Sequence, residues 1–293
     1  MNALTTEKLT KTYSTKVALH DCTVAIPEGS VVALVGPNGA GKTTFLEIAT
    51  GLVNASSGGV TVLDGLEPGS LAALQRVAFV AQDALLYQSM TGNSLVYLTE
   101  ALNPFFDRNF ATARLRAVEI PLKRRVGKLS GGQQAQVALT LAMARRPELL
   151  ILDEPTSGLD PLARQEFLAQ LMNQVATSGM SVIFSSHSLA ELERVSDYLI
   201  LIVSGEIQIA SPLEEIVAHH RVVVCAPSDL DDRHGIEIID RQLGVRFGSH
   251  LVRTRNLEYL RGLESHTTTL EEIVLCYLRR AQGIRALEEI GRS

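Results

Sequence analysis

A glycine-rich octapeptide, Gly36-Pro37-Asn38-Gly39-Ala40-Gly41-Lys42-Thr43, stands between an apolar run, Ser30–Val35, and a stretch of helical pattern, Thr44–Gly51. The spacing is GxxxxGK[ST], and the strand–loop–helix context is what gives that spacing its meaning. Glycines let backbone N–H groups approach an anion with no Cβ in the way. The helix start adds orphan N–H donors and the positive end of a dipole. A chain with this motif is confined to folds in which a strand delivers the loop to a ligand at the carboxyl edge of a sheet. Lys42 is then placed to bridge the β- and γ-phosphates of a nucleoside triphosphate, and Thr43 to hold Mg2+. Thr44 completes the expected binding set.

The surrounding sequence supports that class of fold. Val77–Val80, Leu149–Leu152 and Ser181–Phe184 are short runs apolar on both faces, as buried parallel strands are. Each leads into a loop with Gly, Pro or Asp and then a helical pattern, which is the reading of an α/β protein. The first 30 residues and Val60–Leu63 look antiparallel, with Pro27-Glu28-Gly29 as a turn. Asp160 before Pro161 predicts a helix N-cap, and Ser188 with Glu191 a capping box. Between Gln82 and Ser130 the strand pattern lapses, which predicts an inserted helical subdomain over about 83–129. After Pro212 the composition changes. Arg221–Ala226 and Val245–Thr254 predict strands, and Thr269–Ala281 an amphipathic helix opened by Thr269 and Glu272. The domains expected are therefore 1–212 and a small α+β extension, 213–293. That extension reads equally as a regulatory or dimer-stabilising domain and as a packing cover.

Composition excludes several classes. Of 293 residues, 46% are hydrophobic and 20% charged, as in an ordinary globular protein. No apolar run approaches the roughly 20 residues a bilayer span needs. The opening MNALTTEKLTK has no apolar secretory region, so a cytoplasmic protein is expected. Work at a membrane would require docking on a chain that spans it. The net charge of −5 lacks the electrostatic footprint of a nucleic-acid binder. Cys22, Cys225 and Cys276 lie far apart without a CxxC pair, which suits reduced thiols.

Two further motifs carry chemistry. Leu149–Leu152 runs into Asp153-Glu154, and consecutive acids at a strand tip are costly unless something compensates them. A Mg2+ ion compensates Asp153 and leaves Glu154 to polarise a water that attacks the γ-phosphate. Leu129-Ser130-Gly131-Gly132-Gln133 is a second glycine-rich turn opening a helix, and so a second phosphate site. A single nucleotide needs only one such cradle.

The order of phosphate loop, LSGGQ and LLILDEP resembles the ATPase domain of the ABC superfamily, and the resemblance covers Leu4 to about Pro212. It implies a P-loop NTPase of ABC type: a mostly parallel core sheet, an antiparallel β subdomain and an inserted helical subdomain. It implies ATP and Mg2+ as cofactors. Ser130, Gly131, Gly132 and Gln133 would contact the γ-phosphate of ATP bound to a second ATPase subunit, identical or not. Gln82 would reach Mg2+ and the attacking water beside a membrane partner. Ser157-Gly158-Leu159-Asp160 would lie at the dimer seam, His187 would contact the γ-phosphate, and Tyr13 would stack on adenine. Gln134, Ala135 and Gln136 depart from the family pattern, standing where many members carry basic residues.

The resemblance further implies a nucleotide-binding subunit working with a separate integral membrane permease on the cytoplasmic face of the membrane, with no nucleic acid involved. A cytosolic non-transport ATPase is the alternative. Asn103-Pro104-Phe105-Phe106-Asp107 and Ser185-Ser186-His187 are similar to exporter-type members associated with antibiotic or cell-envelope stress. Cargo choice would belong to the membrane chain.

Overall fold

The computed structural model describes residues 1–82, 86–186, 189–226, 228–231, 233–242 and 248–291. His187, Ser188 and the first residues of the predicted strand from Val245 lie outside the described residues. In chain order the elements are β1 (Asn2–Tyr13), β2 (Lys16–Pro27), β3 (Val31–Val35), α1 (Lys42–Ala49), β4 (Ser57–Val62), α2 (Leu71–Arg76), β5 (Val77–Val80), α3 (Gly92–Leu102) and α4 (Arg108–Ala117). They continue with α5 (Gly131–Ala144), β6 (Leu149–Leu152), α6 (Pro161–Ser178), β7 (Ser181–Ser185), α7 (Leu189–Val195), β8 (Tyr198–Val203), β9 (Glu206–Pro212) and α8 (Leu213–His219). The last are β10 (His220–Cys225), α9 (Ser228–Asp231), β11 (Glu237–Gln242), β12 (Gly248–Arg253), β13 (Glu264–His266) and α10 (Leu270–Gly291).

Six strands form the central sheet in the order β5-β6-β7-β3-β8-β9, parallel except for β9. Because side chains alternate along a strand, one sheet feeds two cores. Val31, Ala33, Val35, Leu150, Leu152, Val182 and Phe184 face a core shared with α5 and α6. Val32, Leu34, Leu149, Ile151 and Ile183 face a second core with α1 and the antiparallel sheet β2-β1-β4. Both faces being covered explains why these strands read as unbroken apolar runs.

The helical stretch between β5 and β6 has its own core. Leu95 and Val96 of α3, Ala111 and Leu115 of α4, and Val137 and Leu141 of α5 meet there. Asp107 caps α4 by accepting from the Phe110 N–H at 2.9 Å, and it pairs with Arg146 at 2.7 Å. Those two contacts hold its carboxyl below the usual range, the backbone hydrogen bond most of all.

The C-terminal strands make an antiparallel sheet, β11-β12-β10-β13. α10 lies between that sheet and the central one. Its Leu270, Ile273, Val274 and Tyr277 join the core of Leu199, Leu201 and Val203 from β8, with Ile239 and Leu251 from the C-terminal sheet. The expected capping box is present: the Glu272 N–H donates to Thr269 Oγ1 at 3.2 Å, and the Thr269 N–H to Glu272 Oε2 at 3.3 Å. The helix runs on past Ala281 to Gly291, longer than its apolar periodicity suggests. Tyr277 and His220 hydrogen-bond at 3.1 Å inside this core, and burial pushes the tyrosine up to about 12.

Candidate functional site

The phosphate loop leaves β3 and curls under two close backbone approaches. A Cβ on Gly36 would stand 2.2 Å from the carbonyl oxygen of Ile202 in β8, so only glycine fits there. Gly41 sits at φ +106°, and its Cβ would meet the Ala18 carbonyl at 2.5 Å. α1 starts at Lys42, two residues earlier than its sequence pattern suggests, with Gly41 as an N-cap that offers no side-chain acceptor. The first N–H groups of α1 are thus left for a ligand.

Lys42 is buried and folds back under the loop. Its ammonium donates to the Gly36 carbonyl at 2.8 Å and to that of Pro37 at 3.3 Å. It also lies 3.9 Å from Glu154 Oε1. Gln82, just past β5, donates from Nε2 to Glu154 Oε2 at 3.4 Å. Glu154 is thereby fixed between a cation and an amide at the tip of β6.

Together these groups line an open cleft of about 510 Å³: Tyr13, Lys16, Ala18, Asn38, Gly39, Gly41, Lys42, Thr43, Thr44, Gln82 and Glu154. Gly36 and Ala40 form the buried underside of the loop, and Pro37 faces a neighbouring hollow shared with Leu278 and Ala281 of α10. Asp153 lies beneath the cleft, 2% exposed, and accepts from the Ser185 hydroxyl at 2.6 Å.

Three cleft features were not read from sequence. Lys16 and Ala18 reach it because Ser14-Thr15 make a two-residue hairpin that pairs Tyr13 with Lys16. No Gly or Asn marks that turn, although Ser14 adopts φ +51°. Lys11 Nζ sits 4.8 Å from the centroid of the Tyr13 ring, which engages one face of that ring. Ser185, buried between the two acids, is the third.

Ser130–Gln133 stand elsewhere. Ser130 caps α5 in a reciprocal box: its Oγ accepts from the Gln133 N–H at 3.2 Å, and Gln133 Oε1 accepts from the Ser130 N–H at 3.1 Å. None of the four lines the phosphate cleft of its own chain. Gln134 turns toward the helical insertion, accepting from Gln88 and donating to the Leu129 carbonyl, each at 3.2 Å. The first of the three residues that depart from the family pattern therefore braces the signature turn within the subunit.

Similarity to known proteins follows the same residues. The ABC transporter family model matches residues 19–157. The lantibiotic transport ATP-binding protein SrtF of Streptococcus pyogenes is 33% identical over 202 residues, covering 69% of this chain and 87% of its own length. The molybdenum import ATP-binding protein ModC of Rhodobacter capsulatus is 35% identical over 219 residues, 72% of this chain and 60% of its own. A dimeric ATP-binding cassette solved in a post-hydrolysis state with ADP and phosphate superposes with a TM-score of 0.64 at 25% identity, covering 72% of this chain and 98% of its own. An identity of 33% sustained over 87% of a relative's length, on a fold that superposes with such a cassette, fixes the family: this chain is an ATP-binding subunit of the ABC transporter family, an enzyme that hydrolyses ATP.

Proposed function

We propose that two subunits meet head to tail around two ATP molecules, each lending Ser130–Gln133 to the nucleotide in the other's phosphate cleft. The observation that carries this is the separation within one chain: the cleft is open, and the signature turn is not among its lining residues. Its capping box fixes the turn by occupying the Ser130 and Gln133 N–H groups and leaves those of Gly131 and Gly132, at the helix start, for an anion from outside.

In this reading Lys42 and the loop N–H groups hold the phosphates, and Tyr13 supports the adenine. Glu154 orients the attacking water, steadied by Gln82, and His187 contacts the γ-phosphate. Thr43, Gln82 and Asp153 offer a hydroxyl, an amide carbonyl and a carboxylate, the hard oxygen donors that Mg2+ selects. When bound, that ion neutralises charge on the transferred phosphoryl group. The protein's part is positioning and charge complementarity rather than covalent chemistry.

Residues 1–212 serve as the ATPase domain, with 83–129 as its helical subdomain, and 213–293 as an extension seated on it. The partner is an integral membrane permease, and the subunit sits on the cytoplasmic face of the membrane. Among the described residues no helix is long and apolar enough to cross one. Export is the direction proposed, on the likeness of Asn103–Asp107 and Ser185–His187 to exporter-type members.

The test is a tagged Glu154→Gln variant purified in mild detergent with ATP and Mg2+. The expected outcome is an ATP-trapped dimer with a stoichiometric polytopic membrane protein. A variant that turns over at the wild-type rate sinks the role given to Glu154. Recovery from the soluble fraction without a membrane chain supports a cytosolic non-transport ATPase instead.

A further inference from the structure

The two acids at the end of β6 share one buried oxygen. Ser185 closes β7, the parallel neighbour of β6, where Leu152 is paired with Phe184. The next residue on each strand is therefore Asp153 and Ser185. The Ser185 side chain is fully buried. Its Oγ accepts from the Glu154 N–H at 2.7 Å and lies 2.6 Å from Asp153 Oδ1. An amide N–H only donates, so the single hydroxyl hydrogen must go to the carboxylate. A hydrogen bond from a hydroxyl to a charged oxygen is both shorter and stronger than one between neutral groups.

Each acid is thereby held at a second point. The Asp153 N–H already donates to the Val80 carbonyl at 2.9 Å. With Oδ1 taken by Ser185, Oδ2 is the carboxylate oxygen left for a cation. Glu154 stands at φ +45°, a left-handed conformation that residues with side chains adopt at a cost. That turn takes the chain out of the strand direction and sets the Glu154 carboxylate beside Lys42 and Gln82. The Ser185 oxygen anchors its N–H side, and the Ser157 N–H binds its carbonyl at 3.0 Å.

We propose that Ser185 is a positioning residue for ATP hydrolysis, orienting the Asp153 carboxylate toward the cation and locking the Glu154 backbone in the turn that aims its carboxylate at the γ-phosphate. It touches neither nucleotide nor water and acts through the two acids. The inference rests on the roles given to Asp153 and Glu154 above. Alanine at this position takes the Ser185 hydroxyl from the buried Asp153 carboxylate and from the part-buried Glu154 N–H, and removing one partner of such a bond costs more than the absence of the pair would.

The experiment measures Ser185→Ala, Ser185→Thr and Glu154→Gln as full-length chains. The readouts are kcat, KM for ATP, binding of a fluorescent ATP analogue in EDTA, Mn2+ affinity by electron paramagnetic resonance with that analogue bound, and Tm. Ser185→Ala is expected to lower kcat about 10- to 100-fold, corresponding to about 1.4 to 2.7 kcal/mol. Metal-free analogue binding and KM should stay within about threefold of wild type, and Mn2+ affinity should fall several-fold. Ser185→Thr, which keeps the hydroxyl, should recover most of kcat. Combined with Glu154→Gln, Ser185→Ala should add little further loss, because both act on the same step. If Ser185→Ala does not fold, Ser185→Cys carries the same test with a group of similar size and a weak donor.

A Ser185→Ala enzyme with wild-type kcat and Mn2+ affinity, beside an inactive Glu154→Gln, overturns this inference alone. A loss confined to Tm, or shared equally by metal-free analogue binding, also overturns it in favour of a structural role. Wild-type turnover by Glu154→Gln removes the assignment of the site and the inference with it.

Discussion

Ile273→Ala tests whether the C-terminal extension is a loosely attached module or part of the ATPase core. Ile273 is 0% exposed and belongs to one contiguous core with Leu199 and Leu201 of β8, an inner strand of the central sheet. Truncation to alanine removes three buried carbons. At about 0.8 kcal/mol each, with a further term for the cavity, the cost is about 3 kcal/mol, within the range measured for such changes. For a domain of this size each kcal/mol lowers Tm by about 2 °C, so a fall of about 6 °C is expected. The control is Leu275→Ala on the same helix, 41% exposed on the opposite face, which should move Tm by no more than about 2 °C. Differential scanning calorimetry of the full chain gives the answer. A continuous core predicts one cooperative transition displaced as a whole, with the displacement retained when ATP is present. A small separate transition at low temperature, with the main one unmoved, would refute the reasoning, because the extension would then unfold without disturbing β8.

Three other outcomes follow from the geometry. Gly36→Ala places a Cβ 2.2 Å from the Ile202 carbonyl oxygen. The loop must shift by about 1 Å, and kcat/KM should fall about 100-fold; a value within threefold of wild type contradicts the contact. His250→Leu removes two ring nitrogens that are buried without a hydrogen-bond partner among the described residues. A gain of about 1 kcal/mol in denaturant-unfolding stability is expected, and a loss would mean that the nitrogens are satisfied in solution. Glu272 has its pKa lowered, first by the Thr268 hydroxyl and then by the Thr269 N–H. Its contribution to α10 is complete above the ordinary carboxyl value of 4.5 and is lost as the pH falls through the lower folded value. Glu272→Gln should therefore flatten the acid limb of a Tm-against-pH curve, and an unchanged limb would remove the effect.

Much of the central sheet is legible in sequence because both of its faces are covered. Val31–Val35, Val77–Val80 and Leu149–Leu152 are apolar at every position, and nothing but a buried strand of that length suits them. The reading stopped at Phe184, one residue short of the end of β7, because serine does not look like a core residue. Ser185 is buried through its hydrogen bonds to Asp153 and Glu154, a reason that lies on the neighbouring strand. Lys16 and Ala18 enter the cleft through a hairpin without turn residues of the usual kind. The C-terminal sheet was partly legible: His220–Cys225 stands out, whereas Glu237–Gln242 alternates weakly and carries Glu, Asp, Arg and Gln. The contact between α10 and β8 has no local signature, since periodicity gives a helix an apolar face but does not name what covers it.

Strand order explains how residues so far apart in sequence work at one point. Gln82 follows β5, Asp153 and Glu154 follow β6, Ser185 ends β7, and the phosphate loop follows β3. These four strands are adjacent and parallel in the order β5-β6-β7-β3, so their carboxyl ends form one edge. Neighbouring ends are about 4.8 Å apart across the sheet, so the Ser185 hydroxyl on β7 reaches the end of β6, while Lys42, beyond the end of β3 and two strands away, reaches Glu154 with its long side chain. A slip of one residue in any pairing would move an end by about 3.3 Å and turn its side chains to the opposite face. The apolar positions of β6 and β7 are committed to two different cores and forbid that slip. The burial pattern that holds the sheet together therefore also sets the position of Glu154 relative to Lys42.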